Sequence, residues 1–197
     1  MNAPVLPAPV TPSLAGGFAH PAHDAARAFR AAMQTLARPG RIQQITGALP
    51  PAPLSVAAGT LALVLMDQTT PVWLAPSHDS ATLRAWLTFH TAAPFTTAEA
   101  AHFVIGSWEA LAPVSRFATG TPDYPDRAAT LIVEMPALEA RGARLTGPGI
   151  QDSARLSLPE KAAFQANHAL YPLGFDTFLT AGDQIAGLPR STRLEDI

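Results

Sequence analysis

The chain contains no cysteine, which removes disulfides, thiolate nucleophiles and cysteine-ligated zinc together. Lysine is nearly as scarce. Lys161 stands alone, and every other one of the 13 basic residues is an arginine. Schiff-base chemistry would fall to Lys161, which follows Pro159-Glu160 at the start of an expected helix, a solvated position without the burial that depresses a lysine pKa. Charged residues make up only 14% and the formal net charge is -2, so the basic excess of a nucleic-acid binder is missing. The opening MNAPVLPAPVTPSLAGG has neither the positive start nor the apolar core of a secretory signal. The longest mostly apolar run, residues 54–66 between Pro53 and Asp67, falls short of the roughly 20 residues that span a bilayer. These absences point to a soluble cytoplasmic protein that meets neither membrane nor nucleic acid.

Catalytic signatures are missing too. HEXXH and Gly-x-Ser-x-Gly are absent, which leaves zincin and α/β-hydrolase chemistry without an anchor. The Gly147-Pro148-Gly149 stretch lacks the Lys-Ser or Lys-Thr of a phosphate-binding P-loop and the third glycine of a dinucleotide fingerprint. Of the 6 histidines, only His20 and His23 lie close; a metal site would need further ligands with them, and the adjacent Asp24 is expected to point elsewhere on the helix. Asp123 and Asp126 fall in a proline-flanked loop with nothing to split their pKa values.

What is present suits one domain. The 197 residues are 48% hydrophobic, enough to bury a sizeable core. Four prolines lie in residues 1–15, an extended arm; residues 16–197 then read as one α/β domain. Pro21 suits a first helical turn. Phe29, Met33 and Leu36 at i, i+4, i+7 predict the buried stripe of a helix that Arg38-Pro39-Gly40 ends. Residues 54–66 predict a buried helix, apolar nearly all round. A further helix capped by Ser77 or Ser80 carries Leu83, Trp86, Leu87 and His90 on one side. Strands are expected near 41–45, 71–75, 102–106, 129–135 (ATLIVEM), 143–146 and 154–158, with short helices from Trp108 and Pro159. Residues 175–180 read as the final strand, with a tail from Gly187. Strands near 130 and 146 are expected to pair antiparallel, giving a mixed sheet flanked by helices. Trp73, Trp86 and Trp108 read as core.

Two stretches invite a ligand. Gly147-Pro148-Gly149 is either a turn or an anion nest, since glycines let successive N–H groups converge. Arg190 with Ser191 and Thr192 either grips a carboxylate or phosphate or pins the tail to the body.

The order of the motifs carries more than any one of them. GGFAHPAHDAARAFRAAMQTLARPGRI opens the chain. Leu65-Met66-Asp67 with Thr70-Pro71-Val72-Trp73 comes next, then Phe89-His90-Thr91. Leu145 to Ile150 (LTGPGI), Tyr171 to Asp176 (YPLGFD) and Leu188 to Thr192 (LPRST) complete the set. From about Gly16 to Thr192 this resembles the PhnH family, subunits of the bacterial carbon–phosphorus lyase system. The family's usual Asp before Pro21 is replaced by His20, a weaker helix cap.

The resemblance implies a three-layer α/β/α sandwich with a mixed sheet, similar to the pyridoxal-phosphate-dependent transferase fold but lacking a cofactor site. It implies a non-catalytic or accessory role in phosphonate catabolism, where ribose 5-triphosphate is transferred from ATP to an alkylphosphonate and adenine leaves. Partners implied are lyase subunits of the PhnG, PhnI, PhnJ and PhnL types, with a homodimer when isolated. No catalytic residue, cofactor or metal is implied. In the alternative, the chain itself binds the phosphonate or nucleotide triphosphate through Gly147, Gly149, Asp176 and Arg190.

Overall fold

The computed structural model describes residues 14–195. The arm expected over residues 1–15 therefore lies largely outside the described residues. Its last two residues are laid against a helix, where the Leu14 and Ala15 carbonyls accept hydrogen bonds from His90 Nε2 and Trp86 Nε1, each at 2.9 Å.

The chain runs α1 (Pro21–Ala37), β1 (Ile42–Gln44), α2 (Val56–Leu65), β2 (Val72–Leu74), α3 (Ala81–Thr91), β3 (Phe103–Ser107) and α4 (Trp108–Leu111). It continues with β4 (Thr130–Glu134), β5 (Ala143–Thr146), β6 (Ala154–Leu156), α5 (Lys161–Ala169), β7 (Asp176–Ala181), β8 (Gln184–Leu188) and β9 (Arg193–Glu195). Six strands form a mixed sheet in the order β1-β8-β7-β4-β3-β2, and β6-β5-β9 form a separate antiparallel sheet. Strands β2, β3, β4 and β7 are mutually parallel, while β8 and β1 add antiparallel at one edge.

Alternation along the strands divides the core in two. Ile105, Ile132, Phe178 and Ile185 face α1, α2 and α3; Val104, Leu131, Val133 and Leu179 face α4, α5 and the small sheet. Leu131, Ile132 and Val133 are 0% exposed, and each contributes about 1.5–3 kcal/mol relative to exposure. This continuous apolar run is what a parallel strand covered on both faces requires. Helix α2 is buried from Ala57 to Ala62, and the Ser55 hydroxyl accepts the Ala58 N–H to start it. Ser80, rather than Ser77, caps α3. Trp86 and Trp108 are core residues; Trp73 is partly buried, with the Arg116 guanidinium 4.5 Å over its ring.

Three expectations change. Phe29 and Met33 are 47% and 53% exposed, while α1 buries Asp24, Ala28, Ala32 and Thr35 instead. The reason is proximity: a Cβ on Gly187 in β8 would stand 2.6 Å from the Thr35–Leu36 backbone, so only small side chains fit between helix and sheet. Leu36 stays partly buried. Secondly, β4 and β5 do not pair. They belong to different sheets, and β4 lies parallel between β3 and β7. Residues 112–129 between helix α4 and β4, and the β5–β6–α5 excursion before β7, serve as the long crossovers that parallel strands need. Thirdly, residues 175–180 are not the last strand. Gly187-Leu188 belong to β8, and the segment after Arg190 returns as β9 beside β5. The two strands are short, and glycine inside β8 hid its pattern.

The His20 replacement is compensated locally. His20 makes no side-chain cap, and the Asp24 carboxylate accepts the His20 N–H at 2.8 Å while holding Arg27 at 2.7 Å.

Candidate functional site

Parallel strands deliver their carboxyl ends to one edge of the sheet, where α/β proteins place ligands. Here β2 leads into Ser77-His78, β3 ends at Ser107 and β4 ends at Glu134. A cavity of about 440 Å³ opens between them, walled by Trp108, Pro53, Met135 and Pro136 and edged by Glu109. His78, 5% exposed, lines this space, and its buried Nε2 has no hydrogen-bond partner in the protein. Its other nitrogen, Nδ1, lies 2.9 Å from the Ser77 hydroxyl, which also accepts the Ser107 N–H. Burial pushes the His78 pKa down, favouring the neutral ring.

Glu134 is fixed from two sides. Its Oε1 accepts the Ser55 N–H at 2.7 Å and its Oε2 accepts the Thr180 hydroxyl at 3.1 Å. Burial nonetheless raises its pKa above the usual carboxylate value, the two hydrogen bonds opposing that shift. A second cavity, about 520 Å³ and mostly apolar, lies behind Trp108 between Pro113, Val114, Leu170 and Phe175. Trp108 forms the wall shared by both cavities, held by its indole N–H donating to Glu160 at 3.0 Å and by stacking on Phe164.

The residues singled out from the sequence lie elsewhere. The Arg190 guanidinium meets the Asp176 carboxylate through Nη2 at 2.7 Å and Nε at 3.1 Å, and its Nη1 donates to the Pro125 carbonyl at 2.7 Å. The Arg190 backbone N–H adds a bond to Asp176 at 2.9 Å. The crevice beside this pair admits no water. Gly147 packs beside Ser191, bringing it to the Arg190 turn, whereas a Cβ on Gly149 would stand 2.0 Å from the Ala37 carbonyl at the end of α1. Among the described residues, no group of three His, Asp or Glu is gathered to hold a metal ion.

Residues 16–195 match the family model described as bacterial phosphonate metabolism protein (PhnH). The chain belongs to the PhnH family. A relative from Rhizobium meliloti (strain 1021), named alpha-D-ribose 1-methylphosphonate 5-triphosphate synthase subunit PhnH, is 42% identical over 189 residues, covering 91% of this chain and 94% of the relative. A putative C-P lyase subunit protein HtxG from Stutzerimonas stutzeri is 30% identical over 105 residues, covering 49% of this chain and 52% of that protein.

The stretches that carry the likeness to PhnH meet in space. Gly17, in the opening motif, lies so close to the His90 ring that a Cβ there would stand 2.6 Å from it. Tyr171 to Asp176 and Leu188 to Thr192 join through the Asp176–Arg190 pair. The Asn167 side chain both donates to the Phe175 carbonyl and accepts its N–H, each at 2.9 Å, anchoring the same turn to α5. By contrast, His78 and Glu134 fall outside those stretches. Their sequence signal is slight: Glu134 is the one ionisable residue in an otherwise apolar strand, and it stands at the strand's carboxyl end.

Proposed function

We propose that this chain is a subunit of an alpha-D-ribose 1-methylphosphonate 5-triphosphate synthase within a carbon–phosphorus lyase system, acting in phosphonate catabolism. The observation that carries this reading is the likeness to the Rhizobium meliloti synthase subunit along nearly the full length of both chains. The subunit works by docking to partners of the PhnG, PhnI, PhnJ and PhnL types, in the cytoplasm, and pairs with itself when alone. Exposed Phe29, Met33, Phe89 and Tyr171 on a thinly charged surface support a docking role. The two-sided core fits a three-layer arrangement similar to the pyridoxal-phosphate-dependent transferases.

The competing reading gives phosphonate or triphosphate capture to Gly147, Gly149, Asp176 and Arg190. Against it stands the commitment of the Arg190 side chain to Asp176 and Pro125. Complexes reassembled with and without this chain decide the subunit role. Adenine release from ATP and methylphosphonate is expected only when the chain is present; equal turnover in its absence refutes the proposal.

A further inference from the structure

Helix α1 buries small side chains and exposes large ones. Its buried positions are Asp24, Ala28, Ala32 and Thr35, while Phe29 and Met33, four residues apart on one face, stand 47% and 53% exposed. The close approach of β8 accounts for the small residues inside. It does not account for the large apolar ones outside, since a solvated helix face is ordinarily polar. Phe29 and Met33 border a groove of about 170 Å³ that Leu65 at the end of α2 and Phe103 at the start of β3 also line. Ala32 and Phe178, each 2% exposed, form its floor. The groove thus reaches the hydrophobic core from a face that is itself apolar, the setting in which an inserted side chain acts as an anchor.

The rim on the α1 side carries one sign of charge. Arg30 is the helical neighbour of Met33, three residues before it, and Arg38 follows the last turn. Both are exposed, and among the described residues neither guanidinium has an ion-pair or hydrogen-bond partner. Asp24 is the sole carboxylate of α1; it is buried and taken up by the His20 N–H and by Arg27. Asp67, two residues past Leu65, spends its carboxylate on the Thr69 N–H and hydroxyl. A second copy of this face would therefore bring arginine to arginine, and like charges set together cost affinity. Residues 1–13 contain no Asp or Glu, so the chain's own arm offers these arginines nothing. Nor does the side of a helix present unpaired backbone to which a strand could add, which leaves side-chain packing of helix on helix.

We infer that the α1 groove receives an amphipathic helix of a partner protein, an apolar side chain entering between Phe29 and Met33 and carboxylates meeting Arg30 and Arg38. Apolar anchors supply the affinity of such helix-in-groove docking, and the arginine forks on the rim select acidic flanks. This docking face presupposes the subunit reading above and gives that reading a surface.

Biolayer interferometry of the full chain against the remaining subunits of the reassembled complex tests it. Phe29→Glu and Met33→Glu should each weaken binding about tenfold or more. Arg30→Glu should slow association and flatten its dependence on salt. Leu49→Glu, at a residue 72% exposed and outside the groove, should bind as the parent does. Melting temperatures of these surface variants should stay within about 2 °C of the parent's. The chain has 4 methionines, so the Met33 methyl resonance, assigned with Met33→Leu in carbon-labelled protein, can be followed in the unaltered sequence. It should move or broaden when the subunits are added and stay fixed as the chain alone is concentrated. No binding by the unaltered chain overturns the subunit reading and the docking face together. Binding that persists in Phe29→Glu and Met33→Glu, or that falls equally in Leu49→Glu, overturns the docking face alone. So does an unmoved Met33 methyl, or a salt dependence that Arg30→Glu leaves unchanged. A Met33 methyl that moves with chain concentration makes the occupant a second copy, and one that moves on deleting residues 1–13 makes it the arm; either result also overturns the inference.

Discussion

Replacing Arg190 with alanine separates a structural clamp from a ligand grip. The guanidinium makes two bonds to Asp176 and one to the Pro125 carbonyl, at 2.7 to 3.1 Å. Exposed ion pairs contribute about 0–1 kcal/mol, whereas breaking a fully buried pair costs about 3–5 kcal/mol. The two side chains retain 15% and 26% exposure, which places this pair between those limits. Asp176 also keeps the Arg190 backbone N–H after the substitution, so its carboxylate is not stranded. A loss of about 2–3 kcal/mol follows, toward the upper range for hydrogen bonds to charged groups. For a chain of this size that corresponds to a fall in Tm of roughly 5–10 °C. Differential scanning calorimetry measures it, and a cycle with Asp176→Ala should return a coupling of about 1–2 kcal/mol. A Tm shift below about 2 °C would refute the clamp, as would methylphosphonate affinity that vanishes with the guanidinium.

Gly149→Ala is expected to destabilise by about 3 kcal/mol or more, because the left-handed φ of +81° is joined by a Cβ 2.0 Å from the Ala37 carbonyl; urea denaturation checks it, and an unchanged midpoint would remove the corner's role as a fixed turn. The pH dependence of stability should carry opposing contributions. Burial holds the His78 pKa below its ordinary 6.5, so the unfolded chain takes up that proton first and stability falls as pH drops from about 6.5 through the lower folded value. Burial holds Glu134 above its ordinary 4.5, so its contribution is fully present below 4.5 and is lost as pH rises through the raised folded value. Denaturation midpoints of the parent and His78→Phe, compared between pH 7.5 and 5, isolate the histidine: the parent should lose ground on acidification relative to the variant, and parallel curves would contradict a buried neutral imidazole.

Local chemistry was legible in the residues. Pro21 and Arg38-Pro39-Gly40 bound α1, apolar density announced α2, and ATLIVEM announced β4, because backbone restriction and side-chain periodicity act within a few residues. The likeness to PhnH was legible for a related reason, since its motifs sit at turns and element ends. The face of α1 was not. Phe29, Met33 and Leu36 satisfy helical periodicity as well as Ala28, Ala32 and Thr35 do, and the choice rests on how closely β8 approaches through Gly187. One partner of β5 was equally hidden, for beside β6 it pairs with β9, on the far side of α5, β7 and β8.

The candidate site shows the same division. Sequence alone established which side chains exist, where helices and turns begin, and the absence of cysteine, of a second lysine and of the familiar catalytic signatures. It also supplied Arg190 and Asp176 as polar candidates, without saying that each occupies the other. Only the tertiary structure brought His78 and Glu134 to the lining of one cavity, through parallel strands that end at one edge of the sheet. Periodicity governs neighbours a few residues apart, whereas register and strand order govern neighbours that many tens of residues separate.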